Sequence, residues 1–483
     1  MGLKKDLFSG VAVTAIAKYS GIVIGLVINA MLARLLSPRE YGIVGVVVVF
    51  ITFFNILSDI GLGSAIVQSQ TLSQKDHSDL FKLSAIMSSI LAIAFALFSY
   101  AVAYFYKNDV YIPIGQLLAI HVFFSSLSVV PKNILIKSQL FKKIAIIDVC
   151  TALTAGLLAV LLASQHYSYF AIVWRSIFVS SVTFTIYFLI SGLKFKKGLS
   201  LAPARRVAKY SSFQFGFNFI NYFSRNLDNI LIGKFMGNAQ LGVYNQAYQL
   251  MMYPISNLTF VITPVLHPIL AKYQHDKAFI YKEYVNVVNI LAVLGVPISV
   301  FVFFSSEEIV QIMLGSKWAA VVPILKIMSL SVWIQMVLSS SGSVFQASGR
   351  TDLLFLSGAL SAVFTISAIL AGVFYYQSMQ ATAWLLVSAF SFNFFQGFYT
   401  LIVHALKQSP RIFFKAILSK APMALAMIVT LVAKNQFIRL MHFDLPLIPS
   451  ILLNIMICLV FFILFQHALV STFVRKFVPQ RVT

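Results

Sequence analysis

The chain has 483 residues, of which 59% are hydrophobic and only 10% are charged, and its mean hydropathy is +0.89. Soluble domains carry roughly 25% charged residues, so this composition excludes a soluble protein and indicates a polytopic membrane protein. A net charge of +22 would suggest nucleic-acid binding in a soluble chain. Here the Lys and Arg residues cluster in short links between apolar segments, as the positive-inside rule describes, so we expect no nucleic-acid partner.

Apolar segments long enough to cross a bilayer recur along the whole chain. Counted at about 20 residues per span, they predict an all-α polytopic membrane protein with about 14 transmembrane helices. No link between them is long enough to hold a separate soluble domain. The predicted spans lie near residues 10–33, 41–67, 80–106, 113–131, 144–164, 168–190, 212–234, 241–266, 284–304, 320–346, 353–376, 379–403, 412–433 and 445–471.

The distribution of basic residues orients these helices. With the N-terminus in the cytoplasm, most Lys and Arg fall into inward links, such as residues 132–143 and 191–211, and few fall into outward links. Both termini are therefore predicted to be cytoplasmic. The apolar segment after Lys4 and Lys5 lacks a small-residue cleavage signal, which favours a retained first helix over a signal peptide.

Two stretches of the chain resemble each other at an offset of 200 residues. Residues 28–45 align with residues 227–245, which places Gly42 over Gly242. The alignment predicts two pseudo-symmetric six-helix lobes around a central cavity, followed by two extra C-terminal helices. An even number of helices in each lobe makes this a parallel repeat. The two lobes and the additional helices with a cytoplasmic tail are assigned to residues 1–200, 201–410 and 411–483.

Polar side chains follow one face of the seventh predicted helix. They recur at steps of three and four residues, which places them on one side of a helix with 3.6 residues per turn. Ionisable groups at this depth usually face a bundle interior or a water-filled cavity, so the face predicts a substrate cavity. The alternative is an Arg225–Asp228 ion pair that only helps helices to pack. The residues are Gln214, Asn218, Asn221, Arg225 and Asp228.

The repeat predicts a matching polar stripe on the first helix. Lys18 lies about 15 Å into that helix, near the middle of a ~30 Å hydrocarbon core. Together, Lys18 and Arg225 would hold an anion such as phosphate, which neither could hold alone. Glycines on the stripe either leave room for a bulky ligand or allow another helix to pack closely. The stripe consists of Thr14, Lys18, Gly21, Gly25 and Asn29.

Three further residues complete the predicted site. Asn245 and Tyr248 give the eighth helix a polar and aromatic face. Asp59 in the second helix is a candidate proton-binding group for coupled transport, or alternatively caps a broken helix end before Gly61. The sequence has neither a Walker A motif nor metal-ligand spacing, so we expect no cofactor, no metal site and no enzymatic activity.

Three stretches carry a family resemblance: ARLLSPREYGIVGVVVVF (33–50), DIGLGSAIVQ (59–68) and RNLDNILIGKFMGNAQLGVYNQAYQL (225–250). They resemble the polysaccharide transporter branch of the multidrug/oligosaccharidyl-lipid/polysaccharide exporter superfamily, and most of all its Wzx-type flippases of the colanic acid and teichuronic acid kind. The resemblance implies a two-lobed fold, a central cavity and ion-coupled alternating access.

The same resemblance implies a substrate and a location. The substrate is a polyprenyl-diphosphate-linked oligosaccharide, moved from the cytoplasmic to the periplasmic leaflet of the bacterial inner membrane for surface polysaccharide synthesis. The implied partners are the bilayer, a polymerase and other assembly proteins.

Three other functions stay open. A peptidoglycan lipid-precursor flippase would share the fold and the basic cavity. A cation-coupled multidrug antiporter of the same superfamily would favour acidic cavity residues, whereas the predicted stripes are net basic. A non-transporting scaffold of a polysaccharide assembly complex is the third alternative.

Overall fold

A computed structural model of the chain describes residues 2–58, 66, 72–194, 198, 200, 222, 226–259, 263–442 and 445–465. These residues form helices joined by short turns, and no strand occurs among them. Many of the helices are long and apolar enough to cross a bilayer. The predicted all-α membrane fold is therefore confirmed.

The chain divides into two compact units. The first consists of Met1–Gly242 with Met313–Lys317, and the second consists of Val243–Ile312 with Trp318–Thr483. The predicted assignment of residues 1–200, 201–410 and 411–483 to lobes and additional helices stays a prediction.

Long helices build the first unit, and a short π-helical turn lies near its end. A capping box holds the start of the helix Gln74–Tyr106, because the Asp76 N–H donates to Ser73 Oγ at 3.2 Å and the Ser73 N–H donates to the Asp76 carboxylate at 2.9 Å. Residues 226–231 are helical and lead into the π-turn Ile232–Met236. The helices are α1 (Gly2–Leu35), α2 (Pro38–Ser58), α3 (Gln74–Tyr106), α4 (Tyr111–Leu127), α5 (Val129–Lys137), α6 (Phe141–Ser164) and α7 (Phe170–Ile190).

Small residues bring the helices of the first unit into close contact. A Cβ atom at Gly115 of α4 would collide with the Ser99 side chain of α3. A Cβ atom at Gly156 of α6 would likewise collide with the Ile28 side chain of α1. Lipid tails are as apolar as these side chains, so helices in a membrane associate through close van der Waals packing of this kind.

The second unit contains more broken helices and an aromatic core. The rings of Phe398 and Phe413 lie 4.4 Å apart between centroids, next to the fully buried Tyr284. The helices after the π-turn are α8 (Asn238–Thr259), α9 (Thr263–Ala271), α10 (Lys277–Phe304), α11 (Ser306–Met313), α12 (Val321–Ser329), α13 (Val332–Leu338), α14 (Ser341–Ala347), α15 (Thr351–Leu370), α16 (Met379–Tyr399), α17 (Arg411–Leu418), α18 (Ala421–Leu440) and α19 (Leu447–Phe465).

The number of spans is smaller than predicted within the described residues. They contain 11 helices long and apolar enough to cross a membrane, or 12 if the bent pair Val321–Ser329 and Val332–Ala347 is one span. The predicted span 212–234 lies largely outside the described residues. The predicted span 241–266 forms α8 and the start of α9, but α8 is too rich in Asn, Gln and Tyr to count as apolar. The predicted count of about 14 is therefore not confirmed.

A buried polar network joins the last two helices to the second unit. Lys434 Nζ of α18 donates to Asn454 Oδ1 of α19 at 2.8 Å, and Asn454 Nδ2 donates to Ser305 Oγ at 2.9 Å. One turn before Asn454, Ser450 Oγ donates to Glu308 Oε1 at 2.6 Å. The Asn454 side chain is fully buried, so it links α18 and α19 to the end of α10.

We expect Asn454→Ala to lower the free energy of unfolding by roughly 1–3 kcal/mol, because buried polar groups lose their partners. The measurement is the midpoint of thermal unfolding of the purified protein in detergent. Thr430→Val is the control, since Thr430 Oγ1 donates to the Ala426 carbonyl of its own helix. Equal midpoints for the two variants would contradict this role of Asn454.

Candidate functional site

The first turns of two helices whose starts are 200 residues apart in the sequence lie against each other in the first unit. Helix α2 begins at Pro38 and α8 begins at Asn238, so the predicted repeat offset recurs in the helix boundaries. A Cβ atom at Gly42 would collide with the Asn238 carbonyl, and one at Gly242 would collide with the Pro38 carbonyl. Each glycine thus lies against the first residue of the other helix. We call this reciprocal contact of Gly42 and Gly242 the glycine crossing.

A second capping box fixes the start of α2 at the crossing. The Ser37 N–H donates to Glu40 Oε2 at 2.6 Å, and the Glu40 N–H donates to Ser37 Oγ at 3.4 Å. Ser168 Oγ, just before α7, donates to Glu40 Oε1. Sequence reasoning did not assign Ser37 and Glu40. The signal was present, because S-x-x-E spacing with Pro at the first helical position is typical of a helix start.

Links from four places in the chain meet around the crossing. The Tyr111 hydroxyl donates to Asn238 Oδ1 at 2.8 Å, and Lys317 Nζ donates to the Arg34 carbonyl at 3.2 Å. These contacts join the links after the first, third, seventh and ninth predicted helices. Links after odd-numbered helices belong on one side of a bilayer, as the alternation of the predicted spans requires. Which side faces the cytoplasm stays a prediction.

The predicted stripe of α1 borders open space within the described part of the chain. Lys18 and Asn29 are both half-buried and lie ~16 Å apart along the helix axis. A Cβ atom at Gly21 or Gly25 would meet no described atom within 4 Å. Among the described residues, therefore, no helix packs closely on these two glycines. At the far end of the stripe, the Tyr41 hydroxyl donates to Asn29 Oδ1 at 3.2 Å.

Only the C-terminal end of the polar stripe on the seventh predicted helix lies within the described residues. Asp228 is buried, and its Oδ1 accepts a hydrogen bond from the Asn229 N–H at 2.8 Å. This segment packs on α2 through Tyr222, whose hydroxyl donates to the Val49 carbonyl. The predicted residues that lie outside the described part of the chain are Gln214, Asn218, Asn221, Arg225 and, in the second predicted helix, Asp59.

Two buried amide oxygens in the first unit have no donor among the described residues. They are Oδ1 of Asn55 in α2 and Oδ1 of Asn229. Most buried polar groups are hydrogen-bonded, so each exception needs an explanation such as an additional bound group. Asn229 aligns with Asn29 at the repeat offset of 200 residues, but the burial of its side-chain oxygen cannot be read from that alignment.

The two predicted residues of α8 that belong to the second unit form a polar-aromatic face. Asn245 and Tyr248 are half-buried, and the Tyr248 ring lies 5.9 Å from the Tyr244 ring between centroids. Such a face offers an amide and aromatic surfaces to a hydroxyl-rich ligand. No group of His, Cys, Asp and Glu within the described residues could hold a metal ion.

The chain is similar in sequence to proteins of polysaccharide biosynthesis. The family model described as polysaccharide biosynthesis protein matches residues 31–323, which include the glycine crossing. The teichuronic acid biosynthesis protein TuaB of Bacillus subtilis is 24% identical over 449 residues, 92% of this chain and 91% of that protein. The lipopolysaccharide biosynthesis protein WzxC of Escherichia coli is 25% identical over 380 residues, 77% and 76% of the two chains.

The fold has also been seen in a solved structure. The lipid II flippase MurJ, in an inward closed conformation, matches with a TM-score of 0.72 and 15% sequence identity. The match covers 96% of this chain and 99% of that one. At this identity the likeness shows the fold alone.

Proposed function

Because this chain belongs to the polysaccharide biosynthesis protein family, we propose that it is a flippase that carries a lipid-linked oligosaccharide across the bacterial cytoplasmic membrane. The observation that carries the proposal is the family match over residues 31–323 on a chain of membrane-spanning helices. Two relatives that align over most of the chain are named for the biosynthesis of teichuronic acid and of lipopolysaccharide. Transport proceeds by alternating access.

The substrate is a polyprenyl-diphosphate-linked oligosaccharide that moves from the cytoplasmic to the periplasmic leaflet. Its diphosphate requires cations, and its sugars require amide and aromatic partners. The open space beside Gly21 and Gly25 supports a ligand wall on α1. Transport is coupled to an ion gradient, with Asp59 as the proton-binding group, and a polymerase takes up the product. In this proposal the cations are Lys18 and Arg225, the hydroxyl partners are Asn29, Gln214, Asn218, Asn221, Asn245 and Tyr248, and Asp228 orients Arg225.

The test is the identity of the lipid that accumulates when the protein is lost. In the native host, deletion of the gene is expected to abolish one surface polysaccharide. Its lipid-linked oligosaccharide is expected to accumulate where a glycosidase added to the periplasm cannot reach it. Mass spectrometry of extracted lipids identifies the oligosaccharide, and re-expression of the protein serves as the control.

A second strain separates flipping from later steps. When the polymerase of the same pathway is deleted instead, the lipid-linked oligosaccharide should accumulate in a form that the periplasmic glycosidase does cleave. Equal cleavage in the two strains would overturn the flippase proposal. Accumulation of the peptidoglycan precursor lipid in place of the oligosaccharide would favour the peptidoglycan flippase.

A further inference from the structure

An apolar cavity of about 470 Å³ lies wholly within the second unit. Ligand cavities in proteins commonly measure about 300–1,000 Å³, so its size fits part of a lipid or another small molecule. Helices α10, α17 and α18 supply most of its wall. The residues that matter for the argument are Val300, Phe303, Trp333, Lys420, Ala424 and Ile428.

Among the described residues, Lys420 is the one cation on the wall of this cavity. Its side chain is only 8% exposed, and it lies at the break between α17 and α18. Within the described part of the chain, no hydrogen bond or ion pair joins its ammonium group to another residue. Lys434, further along the same span, has an amide partner in Asn454. An isolated charge is costly to bury, so the ammonium group of Lys420 requires an anion that the described residues do not supply.

The cavity opens on the surface of the unit. Leu418, Leu330 and Ile428 all belong to its wall, and their exposed fractions are 67%, 36% and 37%. Exposed leucine and isoleucine on a membrane-spanning helix contact lipid, so a ligand would enter from the bilayer. From Lys420 to Ile428 the wall extends ~12 Å along α18. It therefore has a cation at one end and an apolar surface along its length.

This arrangement matches the chemistry of a membrane lipid. We propose that the cavity binds an anionic glycerophospholipid, with its phosphate on the Lys420 ammonium group and an acyl chain along Val300, Phe303 and Ala424. The exposed Arg411 at the start of α17 lies before Lys420 in the chain and attracts anionic headgroups to this region. The proposal is independent of which molecule the protein transports.

The experiment uses the full-length protein, reconstituted with an equal mixture of dioleoyl-phosphatidylglycerol and dioleoyl-phosphatidylcholine. Native mass spectrometry after detergent washing counts the phosphatidylglycerol that stays bound. We expect Lys420→Met to lower this retention at least fivefold, and Lys420→Arg to preserve it. Lys415→Met is the matched control, because it removes an exposed positive charge from the preceding helix and should change retention less than twofold.

A second variant tests the apolar part of the cavity without removing the charge. Ala424→Phe should fill part of the cavity and lower the retention of phosphatidylglycerol at least fivefold, although Lys420 is intact. If Lys420→Met fails to fold, judged by thermal unfolding, Ala424→Phe decides alone. Full retention by the folded variants would overturn the proposal, and so would an equal loss with Lys415→Met. Displacement of phosphatidylglycerol by an equal concentration of undecaprenyl phosphate would also overturn it, since the occupant would then be the lipid of the substrate.

Discussion

Replacing Gly42 with alanine is expected to lower transport about tenfold or more, although alanine is the better helix former. At Gly42 the new methyl group would collide with the Asn238 carbonyl, which is backbone and cannot rotate away. Overpacking of this kind costs about 1–3 kcal/mol, and each 1.4 kcal/mol changes an equilibrium about tenfold. The conformation that contains the glycine crossing would lose population, and alternating access requires every conformation of the cycle.

Gly358→Ala is the matched control for this prediction. Both glycines are helical, but Gly358 in α15 is exposed and a Cβ atom there meets no described atom within 4 Å. Alanine there should gain up to about 1 kcal/mol of helix propensity and leave transport unchanged. Restoration of surface polysaccharide in a deletion strain measures transport, and the amount of folded protein comes from size-exclusion chromatography. If the two variants transport equally well at equal amounts, the crossing has no role in the cycle.

Gly242→Ala extends the test to the other half of the repeat. Its methyl group would collide with the Pro38 carbonyl, so the loss should be similar to that of Gly42→Ala. The double variant should lose little more than either single variant, because both methyl groups force the same two helix starts apart and the substitutions are therefore coupled. Additive losses would mean that the two glycines act separately.

The membrane fold could be predicted from the sequence because its signal is local. An apolar run of about 20 residues identifies a spanning helix without knowledge of its neighbours. The rule also predicted a span at 241–266, but α8, which forms most of it, carries Asn245, Gln246 and Gln249 and is not among the helices apolar enough to cross a membrane. The tertiary structure nevertheless makes α8 a continuous helix of 22 residues.

The contacts of the site join residues that are far apart in the sequence, so they were harder to predict from it. The repeat placed Gly42 over Gly242, but an alignment shows only equivalence, and the actual contacts run from Gly42 to Asn238 and from Gly242 to Pro38. Lys420 lies within the predicted span 412–433 and Lys434 lies directly after it, so the sequence alone shows two basic residues at one apolar helix. Only the fold shows that Lys434 has Asn454 as a partner, whereas Lys420 lies on the wall of an apolar cavity.

Lys18→Ala is the second substitution for which we expect a large loss of transport, about 10- to 100-fold. Hydrogen bonds to charged groups contribute about 1.5–3 kcal/mol, which corresponds to that range. Lys18→Arg should retain most of the activity, because it keeps the positive charge at the same position on α1. Lys142→Ala, which removes an exposed lysine at the start of α6, is the control.

Gly21→Trp distinguishes two roles of α1, one in which it contacts the ligand and one in which it only supports folding. If α1 forms a ligand wall, an indole at Gly21 should block transport by occupying the space beside α1, where a Cβ atom would meet no described atom within 4 Å. If Gly21 does not contact the ligand, a folded Gly21→Trp protein should transport normally. Normal transport by both Gly21→Trp and Lys18→Ala would remove α1 from the substrate site. A loss with Gly21→Trp alone would keep the space beside α1 as part of the path and exclude Lys18 as the anion-binding group.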